Sequence, residues 1–121
     1  MRQGGGCLGD GEKSLVDVKP NSLTWRVEQS AAYQLCTFEI ADPSGLLDHG
    51  NLAMVALPAG LDQRKGIVFS GRGPVWLYGY LTHLAHTFAW IGIADLRLGG
   101  AVVVERHLPT APEVGEVIPH D

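Results

Sequence analysis

The sequence predicts an α/β or α+β fold: a single compact domain with a mixed sheet built around a strand–helix–strand unit. First, short runs rich in β-branched and aromatic residues alternate with turn residues along most of the chain. Second, one helical pattern, in residues 72–87, lies between two apolar runs of strand length. Third, 121 residues with 45% hydrophobic side chains suffice for one core and one domain.

The N-terminal part predicts a leader followed by a β-hairpin. Residues 1–22 are glycine-rich at their start, and we expect a flexible leader there, with the domain formed by residues 23–121. "LTWRVEQ" (23–29) and "YQLCTFEI" (33–40) are rich in β-formers and alternate in polarity, with "SAA" as the turn between them. Residues 41–66 are interrupted by proline and glycine, which predicts irregular chain with one short helix at most.

The central part predicts the strand–helix–strand unit. "GIVFSG" (66–71) is a short apolar run bounded by glycines, as in a buried strand. In residues 72–87, Pro74 suits the first helical turn, where its missing N–H would have no partner in any case. Leucines at spacings of four and three share one helix face: Leu77, Leu81 and Leu84. "FAWIGIA" (88–94) predicts a second strand, parallel to the first and reached by a right-handed crossover.

The C-terminal part predicts two further strands. The turn at residues 95–100 is short, so the strand "AVVVER" (101–106) is expected to lie antiparallel to residues 88–94. "GEVI" (115–118) is expected to add a short edge strand. The sheet is therefore expected to be mixed, with the helix covering one face.

Composition argues against several classes of function. The net charge is −4 with histidine neutral, so a broad basic surface for long double-stranded DNA is not expected, although a few local groups can hold a small anion. Cys7 and Cys36 lack a metal-ligand spacing, and we expect both to be reduced, with Cys36 packed in a strand. No apolar run has the length of a signal peptide or a membrane span, so a cytoplasmic location without membrane contact is expected.

Polar groups are expected at the carboxyl end of the two parallel strands. Ser70, Gly71 and Arg72 lie between the first strand and the helix, and Asp95 and Arg97 follow the second strand. Ligands usually bind at this end of an open α/β sheet. Glycines beside a helix N-terminus favour an anion, and an arginine adds a cation with several donors. The alternative is an ordinary tight turn with a solvated arginine.

Three histidines are expected at the opposite end. His83 and His86 are three residues apart near the end of the helix and so share a side, and His107 ends the antiparallel strand. A strand of about seven residues spans roughly 20 Å, so one small ligand cannot touch both ends of one subunit. Either the histidines are unrelated, since histidine is ordinary at a helix C-terminus, or the site is composite and two subunits supply its two halves.

Histidine and carboxylate together suit a divalent transition metal such as manganese or zinc. Such an ion can polarise a phosphate and generate hydroxide. The motif evidence is weak, because the helix lacks the glutamate of HExxH and the chain contains no phosphate-binding GxxxxGK[ST].

Several motifs together resemble one known family. "KGIVFSGRGPVWLYGYLTHLAH", "ADLRLGGAVVVERH" and "VGEVI" are similar, in this order, to the small single-domain CRISPR-associated proteins of type III systems known as the third class of ring nucleases. The resemblance covers residues 65–118, nearly half of the chain. Before residue 65 the agreement is general, a β-rich part and a loop.

The resemblance implies a fold distantly like the Rossmann-like CRISPR domains that sense cyclic oligoadenylate. It implies an enzyme that cleaves cyclic tetra-adenylate, the second messenger of the antiviral response, with Mn²⁺ supporting the reaction. The same family is also described as a manganese-dependent exonuclease acting on 3′ adenylates of RNA. Its members hold the RNA ring between subunits, so a homodimer or homotetramer is expected.

By position, the resemblance implies roles for particular residues. The catalytic residues would be His86, Asp95, Arg97 and His107; the substrate-binding residues would be Ser70, Gly71, Arg72 and His83; the metal ligands would be His86, Asp95 and His107. The chain departs from the family at Ala94 and Leu96, where Tyr-Asp-Pro-Arg is common. The missing tyrosine would alter a contact with adenine, while the charged pair is kept.

Two other hypotheses stay open beside the ring nuclease. One is a module that binds the cyclic messenger without cutting it. The other is the exonuclease that removes 3′ adenylates from linear RNA. The intact set of His86, Asp95, Arg97 and His107 favours an enzyme.

Overall fold

The fold is a six-stranded mixed sheet with one α-helix packed against it. A computed structural model describes residues 23–119, and the predicted leader, residues 1–22, lies outside the described residues. The strands follow one another across the sheet in chain order. Their bounds are β1 Leu23–Gln29, β2 Tyr33–Ile40, β3 Gly66–Gly71, β4 Trp90–Asp95, β5 Gly100–Arg106 and β6 Val117–Pro119; the helix α1 spans Val75–Leu84.

The pairing of the strands confirms the predicted α/β class. β1 and β2 form the predicted antiparallel hairpin, with Leu23 opposite Ile40. β3 and β4 are parallel and joined by α1, and β5 is antiparallel to β4. β6 is antiparallel to β5 at the edge of the sheet. One pairing was not predicted: β2 also pairs with β3, and the two strands are parallel.

Both connections between the parallel strands pack on the same face of the sheet. Residues 41–65 join β2 to β3 as irregular chain with one short 3₁₀ helix, His49–Met54, as predicted. Right-handed crossovers between successive parallel strands fall on one side, so this segment and α1 cover one core together. Its buried side chains include Phe38, Leu47, Val55, Phe69 and Ile91.

Cys36 lies in this core, as predicted. Its side chain is fully buried in β2. Burial disfavours the charged thiolate and raises the pKa of the thiol to about 11. Cys36 is therefore a packing residue, while Cys7 lies outside the described residues.

The helix α1 lies close to its predicted position. Pro74 is the residue just before the helix and not part of its first turn, and its carbonyl accepts a hydrogen bond from the Leu77 N–H at 3.0 Å. Leu77 and Leu81 are fully buried and Leu84 is partly buried against the same core, which confirms the predicted apolar face. No helix within residues 23–119 has the length and apolarity needed to cross a membrane.

Two strands start two residues later than predicted because the preceding residues form turns. Phe88 donates its N–H to the Ala85 carbonyl at 2.9 Å, so β4 begins only at Trp90. Gly115 has a φ of +94°, a conformation that favours glycine and turns the chain, so β6 begins at Val117.

The direction of the strands decides which groups share an end of the sheet. The three parallel strands end on one side, which we call the carboxyl end, at Ile40, Gly71 and Asp95. α1 starts there and runs back towards the opposite side, the amino end. At the amino end the Ala89 N–H donates to the Gln63 carbonyl at 3.0 Å. β4 has six residues, so the two ends lie roughly 17 Å apart.

Two glycine substitutions, one in the sheet and one in the helix, test how the sheet is packed. A Cβ at Gly66 would overlap the buried indole ring of Trp90, whereas a Cβ at Gly79, on α1, would meet nothing within 4 Å. We expect Gly66→Ala to lower the free energy of unfolding by about 1–3 kcal/mol through overpacking. We expect Gly79→Ala to raise it by up to about 1 kcal/mol through helix propensity. Denaturant unfolding measures both, and equal midpoints for the two variants would contradict this packing.

Candidate functional site

The turn between β3 and α1 has a backbone shape that only glycine adopts easily. Gly71 has a φ of +142°, and a Cβ there would lie 2.5 Å from the Phe38 carbonyl oxygen. The Tyr78 hydroxyl of α1 donates a hydrogen bond to the Gly71 carbonyl. The turn is therefore packed against β2 through Gly71 and bonded to α1 through Tyr78. Within it, Ser70 is partly buried and Arg72 is exposed.

Arg72 differs from the other cationic side chains of residues 23–119. Each of the others makes an ion pair or a hydrogen bond: Arg26 with Glu28, Arg64 with Asp62, Lys65 with Gln29, Arg97 with Asp95, and Arg106 with two backbone carbonyls. Within this part of the chain Arg72 makes neither. Its planar fork of donors is therefore available to an anion such as a phosphate.

Arg72 also lies where two surface clefts meet. One cleft, of about 650 Å³, contains the acidic side chains Glu39 and Asp42. The other, of about 370 Å³, is lined mainly by apolar groups, among them Leu46 and Trp76. Both volumes fall within the range of small-ligand sites. An anion held by Arg72 can therefore place an attached ring in the apolar cleft.

Asp95 and Arg97 form a local pair at the same end of the sheet. The Asp95 Oδ1 accepts from the Arg97 backbone N–H at 2.9 Å, and its Oδ2 lies 3.2 Å from the guanidinium Nη2. The hydrogen bond from the guanidinium, followed by that from the backbone, holds the pKa of Asp95 below its ordinary value. The carboxylate is thus ionised at neutral pH, and the Arg97 side chain, which is 89% exposed, has guanidinium donors left for a ligand.

His83 and His86 lie at the amino end, after α1 has crossed the sheet. Both are exposed, and their rings stack with centroids 6.0 Å apart, which confirms that they share a side. The His86 Nδ1 lies 3.0 Å from the His83 carbonyl oxygen. Because a carbonyl only accepts, Nδ1 carries the hydrogen, and in the neutral ring Nε2 is left to take a proton or bind a ligand.

His107 is held in the same way at this end. Its backbone N–H donates to the Ala89 carbonyl at 2.9 Å, and its Nδ1 lies 2.7 Å from the Phe88 carbonyl oxygen. Its Nε2 lies 2.6 Å from the carboxylate Oε2 of Glu105. Glu105 was not predicted to belong to the site. The available signal was its spacing of two from His107 along a strand, which places both side chains on one face.

The structure thus divides the predicted site residues into two sets. Those at the carboxyl end are Ser70, Gly71, Arg72, Asp95 and Arg97, and those at the amino end are His83, His86 and His107. Within residues 23–119 no group of three or more His, Cys, Asp or Glu side chains is placed to hold a metal ion. Inside one chain, His83 is not brought to the Ser70–Arg72 turn, and His86 and His107 are not brought to Asp95. A site that uses both sets requires a second subunit.

Comparison with known proteins identifies the family. The family model described as "CRISPR-associated protein (Cas_csx3)" matches residues 40–119, which is more than half of the chain. The chain therefore belongs to this CRISPR-associated family. It is also 60% identical over 52 residues to an uncharacterized protein of Aquifex aeolicus (strain VF5). That match covers 43% of this chain and 46% of the relative, so it spans just under half of the relative's length.

The local pair at the carboxyl end gives a pH-dependent prediction. Arg97→Gln removes the largest cause of the lowered pKa of Asp95, so that pKa is expected to rise towards its ordinary value. In the unchanged protein the low pKa favours the folded state above the ordinary pKa, and this contribution disappears as pH falls through the lowered value. Carboxyl-detected NMR titration between neutral and acid pH measures the shift.

A matched control exists at the other end of the sheet. Asp62 and Arg64 have the same spacing and the same hydrogen bonds, and Arg64 lowers the pKa of Asp62 in the same way. Arg64→Gln should therefore raise the pKa of Asp62 and leave that of Asp95 unchanged. A pKa of Asp95 that is the same in both variants would contradict the described pair.

Proposed function

We propose that this protein is a ring nuclease, a metal-dependent phosphodiesterase that degrades cyclic tetra-adenylate and switches off type III CRISPR antiviral signalling. Membership in the CRISPR-associated family supports a role in such a system. The motifs described above resemble those of ring nucleases. The observation that carries the proposal is the division of anion-binding groups and imidazoles between the two ends of one chain.

A cyclic tetranucleotide suits a site divided in this way. The ring repeats one chemical unit, so it can contact equivalent groups from more than one copy of a symmetric assembly. Arg72, which has no partner within the described part of the chain, is proposed to bind a phosphate. The apolar cleft beside it, which includes Trp76, is proposed to receive an adenine by stacking. Ser70 and Gly71 would contribute the remaining contacts of this turn.

The proposed chemistry is cleavage of a phosphodiester bond. A nucleophile, either water or the ribose 2′-hydroxyl, gives up a proton and bonds to phosphorus, the bond to the ribose 5′ oxygen breaks, and that oxygen takes a proton. Arg97, held in place by Asp95, would stabilise the charge that builds on the phosphate. His86 of the facing subunit would move the proton, since imidazole does so near neutral pH. His83 would contact the substrate from the same side.

The donor set fits manganese, because Mn²⁺ accepts imidazole nitrogen and carboxylate oxygen. We propose that His107 of one subunit and Asp95 of another hold the ion, while the Nε2 of His86 stays free to move the proton. When bound there, it would polarise the scissile phosphate. Since these residues lie at opposite ends of one chain, the assembly is proposed to be a homodimer or homotetramer in which unlike ends meet.

The test is incubation of the protein with Mn²⁺ and cyclic tetra-adenylate, followed by chromatography of the products. Linear adenylates are expected with the unchanged protein. Arg97→Gln should lower the rate about 100-fold or more, because it removes a donor aimed at the phosphate. Arg64→Gln is the matched control, since it breaks the same kind of pair at an exposed position, and its rate should stay within about twofold.

Other outcomes would assign the protein to one of the alternatives. Tight binding of an unchanged ring would reject the enzyme and favour a module that sequesters the messenger. Faster shortening of RNA ending in 3′ adenylates, in competition with the ring, would favour the exonuclease.

A further inference from the structure

We infer that Tyr78 is a positioning residue for Arg72, acting through the hydrogen bond from its hydroxyl to the Gly71 carbonyl. This role deepens the proposed function and rests on it, because Arg72 is the group proposed to bind a phosphate. The order of the turn itself is measurable without any ligand.

Arg72 would be poorly fixed if only its neighbours in the chain held it. The pairing of β3 with β2 ends at Gly71, so Arg72 lies beyond the last pair. It stands between Gly71 and Gly73, and glycine has more backbone freedom than any other residue. Its side chain makes no ion pair or hydrogen bond within residues 23–119. A side chain that is ordered only by its ligand binds weakly, so the order of this turn has to come from residues outside it.

One outside contact is the buried ring of Phe38, at the end of β2. A Cβ at Gly71 would lie 3.0 Å from two carbons of this ring, and a Cβ at Gly73 would lie 3.0 Å from another. Both glycines of the turn therefore rest on the same aromatic ring. Apolar contact is non-directional, however, so it does not fix the orientation of the peptide between Gly71 and Arg72.

The directional contact comes from Tyr78, in the first half of α1. Its hydroxyl donates to the Gly71 carbonyl, which belongs to the same planar peptide unit as the Arg72 nitrogen. The hydrogen bond therefore holds the peptide plane from which Arg72 projects. Burial raises the pKa of the Tyr78 hydroxyl above its ordinary value, so the hydroxyl keeps its hydrogen and donates at neutral pH.

Packing explains the ring of Tyr78 but not its hydroxyl. The ring meets that of Phe38 edge-on, with centroids 5.4 Å apart and an angle of 63° between the planes, and it packs against the main core. Phenylalanine would make the same ring contacts. The hydroxyl adds a polar group at a partly buried position, and its partner is the carbonyl directly before Arg72. Phe38 and Tyr78 thus hold the turn from β2 and from α1.

The first test is ¹⁵N NMR relaxation of the full chain without ligand. Tyr78→Phe keeps the ring and removes the hydroxyl, so the backbone order parameters of Arg72 and Gly73 are expected to fall from about 0.85 towards about 0.6. Tyr33→Phe is the matched control, because Tyr33 is also partly buried and packs on Trp90 on the other face of the sheet. It should leave the turn unchanged. In the unchanged protein, the Tyr78 hydroxyl proton should exchange with water more slowly than that of Tyr33.

The second test is a double-mutant cycle on binding of cyclic tetra-adenylate, measured by calorimetry in EDTA so that metal-dependent cleavage is prevented. Tyr78→Phe is expected to weaken binding about fivefold. In an Arg72→Gln chain the same change should weaken binding less than about twofold, because the hydroxyl acts through Arg72. A merely structural role would weaken binding equally in both chains.

Equal losses in the two chains, or unchanged order at Arg72 in Tyr78→Phe, would overturn the positioning role. If Tyr78→Phe does not fold, hydroxyl exchange in the unchanged protein decides, and exchange as fast as that of Tyr33 counts against the role. Failure of the proposed function looks different. In that case the unchanged protein leaves the ring unbound or uncut, while Tyr78→Phe still loosens the turn.

Discussion

The constraint on which the rest of the structure depends is the common direction of β2, β3 and β4. Parallel strands end together, so the turn at Arg72 and the pair of Asp95 and Arg97 share one end of the sheet. A helix that joins two parallel strands must return to the other end, and it delivers His86 there. The antiparallel strand β5 delivers His107 to that same end. One chain therefore cannot bring Asp95 to the same small ligand as His86 and His107.

Each functional group is nevertheless oriented by its own chain. Asp95 and Arg97 are fixed to each other by the turn after β4. His86 and His107 each give their Nδ1 hydrogen to a backbone carbonyl. Such contacts need no partner subunit, so the side chains in both halves of the proposed site are already oriented before the subunits assemble. Pre-organised groups lose little conformational freedom when a ligand binds, which favours a site that is completed only by contact between subunits.

Much of the fold follows from local patterns in the sequence. The hairpin, the helix and the order of β3, α1, β4 and β5 were predicted because their periodicity and turn residues are local. The parallel pairing of β2 with β3 was not predicted, since residues 41–65 show no helical pattern that would indicate a crossover between parallel strands. The later starts of β4 and β6 depend on turns at Phe88 and Gly115 that compete with strand pairing.

The sequence predicted that the two sets of site residues lie at opposite ends of the sheet. It did not predict which side chains each of these residues contacts. The two ends of the sheet follow from topology, and the structure places the histidines apart from Asp95 as that topology requires. That Arg72 makes no ion pair or hydrogen bond within residues 23–119 could not be predicted, because it depends on which acids the folded chain brings near each cation. The contact of Glu105 with His107 follows the two-residue period of a strand, which the sequence does contain.

The most direct measurement of the central claim is complementation between inactive subunits. His86→Ala and Asp95→Ala chains are assembled separately and then together, and cleavage of cyclic tetra-adenylate is compared. If each site takes its imidazole and its carboxylate from different chains, random mixing restores about a quarter of the sites. Activity in the mixture is expected to be well above that of either parent. Mixed oligomers that are confirmed to assemble and yet stay as inactive as the parents would contradict it.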